Sequence, residues 1–259
     1  MFPVLLEFAG FQIYTYGVLL AIGFYCGVQG AVVLGKRRGF DEETVLNLGI
    51  ICVLCGLLGA RVTYVAVYWD EQFANGSIME IFKVWKGGLV FYGGLIGGII
   101  GGVGYWISKG LELLPMCDIA CITMSFGHAI GRVGCFFYGC CYGAIIPGTS
   151  PYFPLGVQFP HLEGVRHPTQ LYAFVGILCI SLFLYQVFKR VKTPGITVSI
   201  YFYLYGTFRF LIELIRGDNR GHILGIESLW TSQTIASGAI IFGVLLHIFL
   251  WIKSSKKDS

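Results

Sequence analysis

Long apolar runs alternate with short polar clusters along the whole chain. Runs near the ~20 residues needed to cross a bilayer fall at 13–34, 45–67, 88–107, 117–135, 170–188, 197–215 and 231–252. The pattern predicts an all-α polytopic membrane protein, with seven transmembrane helices in a single integral domain over 1–259. Two polar stretches are long, 68–87 and 136–169. The second contains Pro147, Gly148, Pro151, Pro154, Gly156, Pro160 and Gly164, so it reads as a turn-rich loop region with one short strand from Leu155 to Phe159. It ends in His167-Pro168-Thr169-Gln170-Leu171-Tyr172, where Pro168 suits the first turn of the next helix.

Composition agrees with this pattern. The 259 residues are 56% hydrophobic and 12% charged, against about 25% charged in soluble domains, and the mean hydropathy is +0.74. The net charge of +4 is a topology signal. Lys36, Arg37, Arg38, Lys109, Lys189, Arg190, Lys192, Lys253, Lys256 and Lys257 fall on one side of the predicted membrane. Only Lys83, Lys86, Arg166, Arg216 and Arg220 fall on the other. The basic side is cytoplasmic by the positive-inside rule, which puts the amino terminus and both long loops outside and the carboxyl terminus inside. No basic segment precedes the first span, so it is not read as a cleaved signal peptide. No basic patch interleaved with surface aromatics points to nucleic acid.

The remaining arginines, Arg61, Arg132 and Arg209, sit inside predicted spans. An arginine at a span centre costs roughly 2.5–3.5 kcal/mol on insertion scales and less near the ends. A shared anionic partner would offset that cost, and the guanidinium fork grips phosphate in two places while staying protonated. A phosphate-bearing lipid or solute is therefore the expected ligand. In the fourth span Cys121, Ser125, His128, Arg132 and Cys135 form one polar stripe. In the sixth, Tyr205, Arg209, Glu213 and Arg216 share a face, and Glu213 is expected to neutralise and orient its neighbouring arginines. Arg132 and Arg209 are expected to share one anion, with an opening toward lipid near the sixth span.

The third span carries Gly93-Gly94, Gly97-Gly98 and Gly101-Gly102, two tracks that let neighbouring helices approach closely; substrate contact is expected only at its mouth, Gly87 to Tyr92. Of nine cysteines, those within spans behave as small hydrophobes. Cys135, Cys140 and Cys141 cluster near the outer surface, as structural thiols, a disulfide or metal ligands. Their spacing is not customary for zinc, and no metal or other cofactor is expected.

In order along the chain stand Tyr16-Gly17, Gly59-Ala60-Arg61 through Tyr64-Val65, and Gly87-Gly88-Leu89 through Gly93-Gly94-Leu95. Gly131-Arg132-Val133-Gly134 through Gly139 and Gly143, then His167 through Tyr172, follow. Phe208-Arg209-Phe210 through Glu213, Arg216 and Asp218, and finally Gln233, complete the series. With these motifs the chain resembles bacterial prolipoprotein diacylglyceryl transferases, as a divergent member. The resemblance implies transfer of diacylglycerol from phosphatidylglycerol to the lipobox cysteine of a prolipoprotein signal peptide, at the inner membrane, with glycerol phosphate leaving. It implies Arg132, Arg209 and Tyr92 as catalytic residues. Tyr16, Arg61, Gly88, Gly134, Cys135, Gly143, His167, Gln170, Glu213 and Arg216 would contact substrate. The family usually has histidine at Tyr92, asparagine and glutamate at Cys135 and Cys140, and glutamate at Ala173. Two other readings stand beside it: another phospholipid-headgroup or glycerophosphate transferase on this scaffold, distinguished by thiol dependence, and an anionic-lipid carrier, which would release no glycerol phosphate.

Overall fold

The computed structural model describes residues 2–8, 11–74, 76–84, 87–218 and 231–255. The chain opens on an antiparallel hairpin, β1 (Val4–Phe8) and β2 (Phe11–Tyr14), where a plain tail was expected. Three helices follow, α1 (Thr15–Arg37), α2 (Glu42–Val67) and the short α3 (Met79–Phe82). Next come α4 (Phe91–Ser108), α5 (Leu113–Tyr138), α6 (Thr169–Arg190), α7 (Ile196–Glu213) and α8 (Thr231–Ser255). Each of the seven predicted spans is a helix, and six are long and apolar enough to cross a membrane. α7 falls outside those six, with Arg209, Glu213 and three tyrosines among its 18 residues. Outward-facing Leu54, Ile100, Leu245 and Phe249 are all at least 60% exposed, as a lipid-facing surface requires. The long connection has a single 3₁₀ turn at Phe153–Leu155, then β3 (Val157–Gln158) paired with β4 (Val165–Arg166). The strand foreseen at 155–159 is therefore shorter, and it has a partner.

The described residues form two compact units, 31–116 and 1–30 with 117–259. In the first, α2 begins at an Asp41 cap whose carboxylate accepts from the Thr44 amide at 2.9 Å. That bond holds the Asp41 carboxyl below its usual range, satisfying one of the orphan donors of the first turn. α4 packs on α2 through both glycine tracks. A Cβ at Gly97 would stand 3.1 Å from the Gly59 Cα, and one at Gly94 would stand 3.3 Å from the Gly56 carbonyl oxygen. Cys55 and Cys52 lie over Gly101 and Gly102. The tracks are packing surfaces, as the spacing indicated.

In the second unit, α1 crosses α5 where Gly23 and Gly127 meet; a Cβ on Gly23 would lie 2.6 Å from the Gly127 carbonyl oxygen. α8 closes on α7 at Gly206 and Gly243. Buried Asp118 of α5 accepts from the Gly195 and Val198 amides at 2.7 and 2.8 Å. It thereby caps α7 with negative charge where the helix dipole favours it. This anchor had no signal in the local sequence, because its partners are backbone amides about 80 residues away.

Candidate active site

The polar stripe of α5 faces inward: Cys121 and Ser125 are buried, while Met124 and Phe126 on the other side are exposed. At its end the Arg132 Nε–H donates to His128 Nε2 at 3.0 Å. A ring nitrogen that accepts carries no proton, so His128 is neutral here with its hydrogen on Nδ1. The bond turns the Arg132 guanidinium while leaving its other four N–H groups with no protein partner among the described residues. Tyr205 lies across His128 with ring centroids 5.8 Å apart and stacks on Tyr201.

On α7, Arg209 pairs with buried Glu213 one turn away. It also donates through Nη2 to Ser232 Oγ of α8 at 2.8 Å. Just past α7, Arg216 grips Asp218 in a two-point fork at 2.7 and 2.7 Å and stands 3.9 Å from Glu213. Glu213 is thus the shared counter-ion that its place between the arginines suggested. Arg132, Arg209 and Arg216 line one pocket, walled by Ala173, Ile177, Phe208 and Ile212. Ala173, Ile177 and Ile212 belong to the same buried apolar cluster as Ala129. The result is a cationic floor against an apolar wall. Ser232, the apolar wall and the His128 acceptor were not among the expected site residues; only the stripe spacing hinted at His128.

The segment after α5 is held tightly. Gly139 and Cys141 adopt left-handed backbone, φ 83° and 65°, and the Cys140 and Cys141 carbonyls accept from Gln170 Nε2 and Thr169 Oγ1, each at 2.6 Å. Cys135, Cys140 and Cys141 are free thiols whose sulfurs lie within 4.8 Å of one another. Hydrogen bonds from Cys135 and Cys140, helped by the Arg216 guanidinium, hold the Cys141 thiol below the usual cysteine range despite burial. The Gln170 side-chain oxygen is buried and has no partner among the described residues, an acceptor that asks for a donor.

Several of the expected contact residues also have structural duties. Arg61 is buried, and its Nε, Nη1 and Nη2 donate to the carbonyls of Ile81, Gly87, Gly88 and Glu80 at 2.6–3.0 Å. It pins the segment before α4, so Arg61 acts here as a loop anchor. Gly88 supplies one of those carbonyls from left-handed backbone, with the Tyr64 ring against it. Gly143 sits where a Cβ would meet the His167 and Ile215 carbonyl oxygens, each at 2.8 Å. Its amide donates to the His167 carbonyl at 2.9 Å. Gly134 gives close passage to Tyr16: a Cβ on it would stand 3.3 Å from the Tyr16 Cα. These glycines serve packing, and His167 pairs its ring with the Tyr172 hydroxyl at 3.3 Å. Tyr16 is 37% exposed at the start of α1. Tyr92 is 51% exposed, edge-on to Phe91, and makes no hydrogen bond among the described residues.

These features define a helical membrane protein in which three arginines stand beside an apolar wall. Comparison with known proteins then gives the family: the prolipoprotein diacylglyceryl transferase profile matches residues 3–249. Three proteins named phosphatidylglycerol–prolipoprotein diacylglyceryl transferase are similar along nearly their whole length. That of Clostridium tetani is 33% identical over 95% of this chain and 96% of its own. That of Clostridioides difficile is 35% identical over 96% of each chain, and that of Finegoldia magna 36% over 92% of each. The chain belongs to the prolipoprotein diacylglyceryl transferase family.

Proposed function

We propose that this chain transfers a diacylglyceryl group from phosphatidylglycerol to the lipobox cysteine of prolipoprotein signal peptides, releasing glycerol phosphate, and that the Arg132–Arg209 pocket holds the phosphate. One observation supports the pocket assignment above others. Among the described residues Arg132, Arg209 and Arg216 bring three positive charges, while Glu213 and Asp218 return two. One cation is left over beside an apolar wall, which matches a phosphodiester monoanion joined to acyl chains. Arg132 carries that surplus, because among the described residues its remaining N–H donors face no carboxylate.

The thiolate sulfur attacks a glycerol carbon of the donor. A C–S bond forms, the C–O bond to phosphorus breaks, and its electron pair leaves with the phosphate oxygens. Charge accumulates there in the transition state, so fixed guanidinium groups lower the barrier without having to reorganise. Glu213 and Ser232 hold Arg209 rigid, and His128 aims Arg132. A two-tailed donor reaches the pocket sideways from lipid, since its tails cross polar loops only at high cost. The distribution of Lys and Arg supports an inner-membrane orientation with the amino terminus outside, so that the loop region 136–169 faces exported precursors.

The test is incubation of the purified protein in bilayers with phosphatidylglycerol and a lipobox peptide, reading peptide mass and free glycerol phosphate. The mass of one diacylglyceryl group should appear with an equal amount of glycerol phosphate. Arg209→Gln should cut the rate by roughly 10²–10³-fold, as loss of an oxyanion donor does, while remaining inserted. An unchanged peptide with the wild-type protein overturns the reaction, and full activity of Arg209→Gln overturns the pocket.

A further inference from the structure

Outside the arginine pocket, the densest set of metal-ligating atoms is the trio of thiols that closes α5. We propose that Cys135, Cys140 and Cys141 form a three-sulfur site for a zinc ion, and that the ion's fourth position takes the acceptor thiol. The second half of this statement rests on the transfer reaction proposed above; the first does not.

The geometry is close to what the ion needs. The three sulfurs already lie within 4.8 Å of one another. Zn–S bonds of about 2.3 Å put tetrahedral sulfurs roughly 3.8 Å apart, so closure asks for a shift of about 1 Å. The backbone is arranged to converge them. Cys135 ends the last turns of α5, and its carbonyl accepts from the Gly139 and Cys140 amides at 3.0 and 3.2 Å. Left-handed Gly139 then reverses the chain. Cys141 is the one non-glycine residue with positive φ among the described residues, a conformation that costs energy and persists only where surroundings impose it. Gln170 and Thr169, both buried, impose it by holding the carbonyls of Cys140 and Cys141. Supports of this kind, fixing the backbone of the ligands, are what precise metal sites have around them.

A disulfide among the three would use two sulfurs and leave the third unexplained. Spacing misleads here because Cys-x4-Cys-Cys can place its sulfurs together only through the two left-handed residues.

Structural zinc sites are closed by four protein ligands, whereas three ligands leave a position for substrate. Arg216 links the two sites: its backbone bridges Gly143, two residues past Cys141, and its side chain lines the pocket with Arg132 and Arg209. An acceptor thiol that ligates zinc gives its proton to water and becomes a thiolate. Its sulfur then forms the C–S bond as the C–O bond to phosphate breaks; the zinc is neither oxidised nor reduced.

The experiment uses the purified, chelator-stripped protein, with zinc chloride as probe. Bound zinc is measured after gel filtration, and alkylation of each cysteine is mapped by mass spectrometry. One zinc per chain should be retained by the wild-type protein and by Cys179→Ser, whose side chain is exposed elsewhere on α6. Cys141→Ser should lose at least about ten-fold in affinity. Zinc should also slow alkylation of Cys135, Cys140 and Cys141 in the wild-type protein, a readout that needs no variant to fold. Zinc that protects none of the three, equal retention by Cys141→Ser, or a Cys140–Cys141 or Cys135–Cys141 disulfide in the isolated protein overturns the site. Transfer to the lipobox peptide is read in parallel. Loss on chelation with recovery on zinc supports the role in thiol activation. Undiminished transfer by the stripped protein overturns that role and leaves the transferase reading intact. Zinc retained by a protein that never transfers overturns the transferase reading, and with it the thiol role, and leaves the site.

Discussion

Arg61 spends four N–H donors on backbone carbonyls, Arg209 spends its own on Glu213 and Ser232, and Arg132 spends one on His128. In the sequence the three look alike, each an arginine among glycine and aromatics. Glu213 at the i+4 position of Arg209 was legible, because helical spacing alone brings the two together. The partners of Arg61 were not: any residue supplies a carbonyl, so 80–88 carries no mark of being held. A consequence follows for stability. Arg61→Ala leaves partly buried carbonyls without donors, at up to about 1–3 kcal/mol for a group cut off from water. We expect the thermal midpoint of the detergent-solubilised protein to fall clearly with Arg61→Ala and also with Arg61→Lys, whose single ammonium cannot replace a planar fork. By contrast, Arg132→Gln should unfold at nearly the wild-type temperature while losing transfer. If Arg61→Lys melts like the wild type and Arg132→Gln does not, the assignments are reversed.

Helix existence was readable from the apolar runs, and the tracks of α4 were readable from their four-residue period, since small residues recurring on one face have no other use in lipid. The amino-terminal hairpin was not readable. Phe11-Gln12-Ile13-Tyr14 alternates like a strand but runs straight into the apolar start of α1, so periodicity merges the two. The crossing of α1 and α5 at Gly23 and Gly127 was equally hidden, because each glycine is isolated and only the fold brings them together. That crossing makes a prediction. A Cβ at Gly23 would lie 2.6 Å from a backbone oxygen, whereas one at Gly238 in α8 meets nothing within 4 Å. Gly23→Ala should cost about 1–3 kcal/mol through overpacking, and Gly238→Ala should be neutral or stabilising by up to about 1 kcal/mol. Unfolding curves of the two variants check this, and equal midpoints would contradict the crossing.

At the scale of the whole molecule, the decisive feature is a surplus of one positive charge among the described residues of the pocket. Composition announced the membrane, and the embedded arginines announced an anion. What composition could not supply is which arginines converge, since Arg132 and Arg209 lie on helices 77 positions apart and meet only when α5 and α7 line the same pocket. Nor could it show that Ala173 and Ile177 of α6 form the wall. The central claim is that Arg132 and Arg209 hold a single phosphate between them, and a double-mutant cycle on the transfer rate tests it most directly. Arg132→Gln and Arg209→Gln should each reduce transfer by roughly 10²–10³-fold. The double variant should be little slower than the worse single, because groups acting on one anion are strongly non-additive. Losses that simply multiply, with the double variant slower by the product of the two, would contradict a shared phosphate.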